Sequence, residues 1–167
     1  MKRLSAMVIF ALFCSLLLAS CGKTSEQKQM ESDLNKRVMQ LHDSGMAKMR
    51  QAQALDAQLD SAKALHDSLA AKFPKTAAGH SGDDIAQAKG KIESAQAAMH
   101  AWMSTHKPYD PEAKHDEVMA KLNADVQELT NQATQFDKAI TDATGTVENH
   151  RKFASELLAK PSKKGKK

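Results

Sequence analysis

Six side chains in this sequence carry the donor atoms of a soft-metal site: Met46, Met49, Met103, His106, His115 and Met119. Thioether and imidazole ligands select Cu(I) over harder ions. The same residues also suit packing, because methionine is unbranched and fills irregular gaps between helices. Two of the stretches that hold them are alike. His42-Asp43-Ser44-Gly45-Met46-Ala47-Lys48-Met49 matches His115-Asp116-Glu117-Val118-Met119-Ala120-Lys121-Leu122 at five of eight positions. Such a match fits a duplicated helical unit, or chance in a helix-forming composition of low diversity.

Other chemistry is sparse. His66 stands in Leu65-His66-Asp67-Ser68-Leu69. A Ser, a His and an Asp this close on one helix cannot converge as a hydrolase triad, whose members come from separate segments. His66 is therefore expected to be solvated or to cap. Asp83-Asp84 reads as first-turn charge at a helix start, where the macrodipole favours it. There is no Gly-rich phosphate loop, His-Glu-x-x-His or Cys-x-x-Cys. The expectation is a protein that is not an enzyme and has no resident cofactor, with bound copper as the alternative.

The elements that would position these side chains are helices. Three apolar stripes repeat at three- and four-residue steps. The first is Leu34, Val38, Leu41, Gly45, Met49, Ala52, Leu55, Leu59, Ala62, Leu69 and Phe73. The second is Ile85, Ala88, Ile92, Ala95, Met99, Trp102 and His106. The third runs from His115 through Val118, Leu122, Val126, Leu129, Ala133, Phe136, Ile140, Ala143 and Val147 to His150 and on to Leu157. No period-two run suggests a strand. Capping and proline signals predict helices over about 25–73, 83–107 and 111–160. Thr24 or Ser25 caps the first, with Gln27 three residues after Thr24, and Pro74 stops it. Ser81 and Asp84 form a capping box for the second, after a loop from Pro74 to Gly82. Asp110 caps the third, with Pro111 at its first helical position. The fold expected is all-α, an elongated antiparallel three-helix bundle with coiled-coil-like seams.

The lengths pose a problem. The outer helices would be about 70 Å long at 1.5 Å per residue, and the middle one half that. Tight turns would leave two half-helices overhanging. Either the long helices kink, at Asp43-Ser44-Gly45 or Thr144-Gly145-Thr146, or the overhangs pair with another chain. The elongated bundle is favoured, with self-association as the other outlet. Tight turns would also bring the end of the second helix and the start of the third level with about residues 47–55 of the first. The six candidate ligands would then meet on one level.

The ends of the chain bear on location. Lys2 and Arg3 precede an apolar run from Leu4 to Ala19, which is shorter than the roughly 20 residues a spanning helix needs. The run ends in Leu18-Ala19-Ser20-Cys21. This is the pattern of a cleaved secretory signal over 1–20, and its closing cysteine resembles the lipobox of bacterial lipoproteins. The resemblance implies cleavage before Cys21 and lipid on its thiol, with residues 21–24 as a tether. Cys14 would leave with the signal, so the mature chain would have no free thiol. Gly22, rather than Asp, after the cysteine favours the outer membrane, facing the periplasm. At the other end Lys160, Lys163, Lys164, Lys166 and Lys167 crowd into a tail, 161–167 of which should be disordered. Without signal and tail, 17 basic residues face 20 acidic ones, so the body is not basic and nucleic acid is not an expected partner. Aromatic residues make up only 4% of the chain, little material for a large pocket.

The His-Asp-x-x-Met pattern (His42 to Met46, His115 to Met119), with Met99-x-x-Trp102-Met103 on a neighbouring helix, resembles small helical lipoproteins of Bacteroidetes. Some of these carry the label "viral A-type inclusion protein". The resemblance covers most of the mature chain and implies fold and address, not activity. Where those relatives often place Pro after the Met, Ala47 and Ala120 stand here. The expected role is a lipid-anchored envelope scaffold or interaction module, touching the membrane through Cys21 and an envelope protein or a second copy through its helices. The alternatives are a periplasmic copper binder and a cell-wall spacer docking through Lys163, Lys164, Lys166 and Lys167.

Overall fold

The computed structural model describes residues 22–77 and 81–159. The segment expected to be a signal, Cys21 and the lysine tail lie outside the described residues. Four helices follow in order: α1 (Ser25–Lys72), α2 (Pro74–Ala77), α3 (Asp83–Thr105) and α4 (His115–Ala159). Three of them build the all-α bundle that the stripes predict, and α2 is a single turn inside the expected loop. None is long and apolar enough to cross a membrane.

Helix ends follow local chemistry, with two departures from expectation. Thr24 and Gln27 close the predicted capping box: Gln27 N donates to Thr24 Oγ1 at 3.2 Å and Thr24 N to Gln27 Oε1 at 2.9 Å. Phe73 ends α1, its N–H donating to Leu69 O at 2.8 Å, and Pro74 forbids continuation. The capping box expected at Ser81 and Asp84 does not form. Gly82 is the cap residue without a side-chain bond, and the Asp84 carboxylate accepts instead from His150 on α4 at 2.9 Å. The start of α4 at His115, rather than Pro111, has a similar cause. Asp110 closes a turn, accepting from Glu112 N at 2.8 Å, while the Pro111 carbonyl accepts from Lys23 Nζ at 2.7 Å. In a helix begun at Pro111, that carbonyl would serve the His115 N–H.

Cross-helix contacts define the arrangement. Glu31 meets His115 and His66 meets His150, so facing positions on α1 and α4 differ by 84 in both cases. The two long helices are therefore parallel and hold their register over most of their length. Contacts between Asp60 and Lys89 and between His42 and Trp102 set α3 antiparallel to α1. Those between Lys91 and Asp142 and between Trp102 and Asp125 set it antiparallel to α4. Each helix pair also carries a lysine–aspartate bridge: Lys89 to Asp56 and Asp60, Lys91 to Asp142, and Lys48 to Asp137. Half-exposed pairs of this kind add at most about 1 kcal/mol each. They do penalise a slipped register.

The length problem is resolved without a break in either long helix and within one chain. α1 runs unbroken through Asp43-Ser44-Gly45, and α4 through Thr144-Gly145-Thr146. The overhanging halves pair with each other. The chain reaches the bottom of the bundle through an irregular connector, 106–114, with His106 already extended at φ −63°, ψ 129°. Extended backbone covers about 3.3 Å per residue against 1.5 Å in a helix. These few residues therefore descend the roughly 16 Å that separate the levels of His42 and Glu31 on α1. Tyr109 and Ala113 of the connector pack on the core and cover the lower seam.

The core follows the stripes. Every residue of the α3 stripe from Ile85 to Trp102 is buried. α4 departs around its middle, where Gln132 and Ala139 are buried and Ala133 and Ile140 only partly. There α4 faces two helices at once, which turns its buried face. The Gln132 amide nitrogen donates to Ala98 O at 3.3 Å and Glu128 Oε1 at 2.9 Å, while its Oε1 has no hydrogen-bond partner. On α1, Glu31 and His66 occupy stripe positions and are buried. Phe73 is exposed, as is Met39.

The three helical glycines divide by what surrounds them. A Cβ on Gly45 would overlap the methyl of fully buried Met99, whereas one on Gly90 or Gly145 meets nothing within 4 Å. Gly90→Ala and Gly145→Ala should each stabilise the fold by about 1 kcal/mol. For Gly45→Ala, overpacking outweighs the propensity gain, with a net loss of about 1 kcal/mol. Urea unfolding of the three variants checks the contrast.

Candidate functional site

Apart from Gln132, the polar side chains inside the bundle gather at three levels. At the bottom, Glu31 is 2% exposed and accepts from Lys23 Nζ at 2.9 Å, while His115 Nδ1 lies 2.9 Å from its other oxygen. Burial alone would raise the Glu31 carboxyl. Hydrogen bonds from Lys23 and His115, and their positive charge, outweigh it and hold the group below its ordinary value. This cluster ties the start of α1, the connector and the start of α4 together.

At the middle level, Trp102 closes α3. The His106 ring stacks on its indole at 4.3 Å between centroids and His42 lies at 5.6 Å. The indole Nε1–H donates to Asp125 Oδ1 at 3.3 Å, and Lys121 Nζ bonds Asp125 Oδ2 at 2.7 Å. His106 Nδ1 stands 3.5 Å from that oxygen, an ionic contact without hydrogen-bond geometry. At the top, Asp84 bonds His150, and His66 packs edge-on against the His150 ring at 5.1 Å. His66 and His150 are both more than nine-tenths buried, so the solvated or capping role expected for His66 is wrong.

The six candidate ligands do not meet on one level. Met46, Met103 and His106 belong to the middle of the bundle. Met46 and Met103 are partly buried against the core. Met49 is itself core, at 4% exposure. His115 sits opposite Glu31, ten residues before and about 15 Å below the level that His106 shares with Asp125. Met119 is one turn above His115 and on the same helix. The expectation failed because it assumed a tight turn where the connector descends. Among the described residues, no three His, Cys, Asp or Glu side chains are arranged to hold a metal.

The repeat reads differently in three dimensions. Its copies are 73 residues apart, whereas facing positions differ by 84. The difference is three helical turns, so the copies present equivalent faces at different heights. His42 meets Trp102 and His115 meets Glu31.

Open clefts run along the α3–α4 face. One of about 350 Å³ near the top is lined by Ser81, Asp84, Asn149, His150 and Phe153. Another of about 510 Å³ is lined by Gln87, Gly90, Ser94 and Gln135. Sequence reasoning missed Glu31, whose only signal was a charged residue three positions before Leu34 on the apolar stripe. It also missed the Trp102–Asp125 bond, which no spacing within either helix announces. No family model, curated protein or solved structure matches this chain.

Proposed function

We propose that this chain is a lipid-anchored, non-enzymatic helical protein of the cell envelope, acting as a scaffold or interaction module in the outer membrane and facing the periplasm. The observation that carries this reading is the latch on Lys23. Two residues beyond the lipobox cysteine, its ammonium is held by Glu31 at 2.9 Å and by the Pro111 carbonyl at 2.7 Å. A lipid on Cys21 would thus be coupled to the bundle through a short, fixed lead instead of a loose tether. α1 and α4, about 70 Å long, would then carry helix surfaces far from the bilayer. Copper binding is the weaker alternative, because His115 is already engaged by Glu31 and stands apart from Met46 and Met103.

Cys21→Ala is the test. The natural chain should incorporate labelled palmitate and sediment with outer membranes, and the variant should do neither. Equal labelling or equal sedimentation of the two would refute the anchor. Crosslinking in intact envelopes, followed by pull-down, should recover a protein partner or a second copy.

A further inference from the structure

Three histidines each face a carboxylate on another helix: His115 with Glu31, His106 with Asp125 and His150 with Asp84. A proton on any of these imidazoles gains an ionic partner. His66 is different. It is 7% exposed, its Nδ1 has no hydrogen-bond partner, and its nearest polar ring is the imidazole of His150. Among the described residues, few charged groups lie around the pair. On α1, Asp67 is exposed and bonded by Lys63 at 2.7 Å. On α3, Asp84 serves His150, with exposed Asp83 beside it. On α4, Lys152 and Glu156 line the cleft outside, and Arg151 bonds Gln58 at 3.0 Å.

This pair also lies at a break in the core. The main cluster ends at Ala62 on α1 and Val147 on α4. Above the histidines the second cluster among the described residues consists of Leu69, Phe153, Ala154 and Leu157, with Ala70 packed against it. So few buried contacts make the top of the bundle a unit that can open by itself.

We propose that His66 and His150 form a proton-operated latch that opens the upper ends of α1 and α4 in mild acid while the main core stays closed. Imidazoles generally take up charge between about pH 8 and 5. The Asp84 carboxylate, 2.9 Å from His150 Nε2, balances one proton there. A second on His66 would bury a cation whose N–H lacks an acceptor, 5.1 Å between ring centroids from another cation. Parting the helices at this level hydrates both rings. It also uncovers Leu69, Phe153 and Leu157 next to Phe73 and Leu158, which are already exposed. Mild acid would thereby loosen the top of an otherwise intact rod. The inference rests on the bundle alone and not on the anchored reading.

Hydrogen exchange of the full chain at pH 7.5 and 5.5, corrected for intrinsic rates, is the test. Segments 63–72 and 150–158 should lose protection about tenfold or more at the lower pH, and segments 45–59 and 118–143 should not. His66→Leu, neutral at every pH, should abolish the loss. His66→Gln serves the same purpose should the leucine variant fail to fold. Unchanged protection at the top, uniform loss along the chain, or loss persisting in the neutral variants would each overturn the latch.

Discussion

Glu31→Ala will destabilise the protein by about 3–5 kcal/mol, the range for removing one partner of a buried ion pair. The carboxylate is nearly inaccessible, and Lys23 and His115 converge on it from two other segments. Alanine leaves the Lys23 ammonium, whose side chain is 11% exposed, with only the Pro111 carbonyl. The start of α4 loses its tie to α1, so the connector should loosen with it. Glu31→Gln keeps the shape and loses the charge, and should cost less. The pH dependence follows from the same cluster. Glu31 titrates below its ordinary value when folded, so its contribution is present above the unfolded carboxylate range, near 4.5. It is lost as pH falls through the lower, folded value. Denaturant unfolding from pH 7 down to 3 should show this loss in the natural chain, and much less of it in Glu31→Gln. A flat difference between the two across that range would contradict the account.

Phe136→Ala will cost a similar amount, about 3–5 kcal/mol, for a different reason. Phe136 is fully buried and the largest such side chain among the described residues. It sits at the middle of α4, where α1 and α3 both pack against that helix, so neighbours on two sides cannot collapse into the cavity together. The lost transfer energy and the cavity therefore add. Thermal unfolding should fall by about 10 °C for a domain of this size. Phe153→Ala, in the small cluster at the top, should cost less globally. Its effect should appear as local exchange near 150–158, because that cluster opens separately.

Much of the architecture is legible along the chain. The α3 stripe from Ile85 to Trp102 is buried as its spacing requires. Thr24 and Gln27 make the capping box that their types announce, and Pro74 follows the end of α1. The polar cluster at the bottom is not legible. Lys23, Glu31, Pro111 and His115 are scattered over more than 90 residues, and no spacing rule relates them. His66 looks like a surface residue because its neighbours Asp67 and Ser68 are polar. Only its place between Ala62 and Leu69 on the stripe hints otherwise, and that hint needs a partner helix to become burial.

Residue order alone establishes that this protein is helical, where its helices lie to within a few residues, and the buried face of α3 and of most of α1 and α4. Those properties depend on local propensity, caps and a 3.6-residue period, all of which act within one segment. Tertiary structure decided the heights at which the helices meet. A connector that descends in extended form, instead of a tight turn, lowered the start of α4 to the level of Glu31. That one displacement separated His115 and Met119 from Met46 and Met103, paired the long helices along their length and put His66 against His150. Height is set by where charges and rings on different segments find each other, and no periodicity within a single helix carries that information.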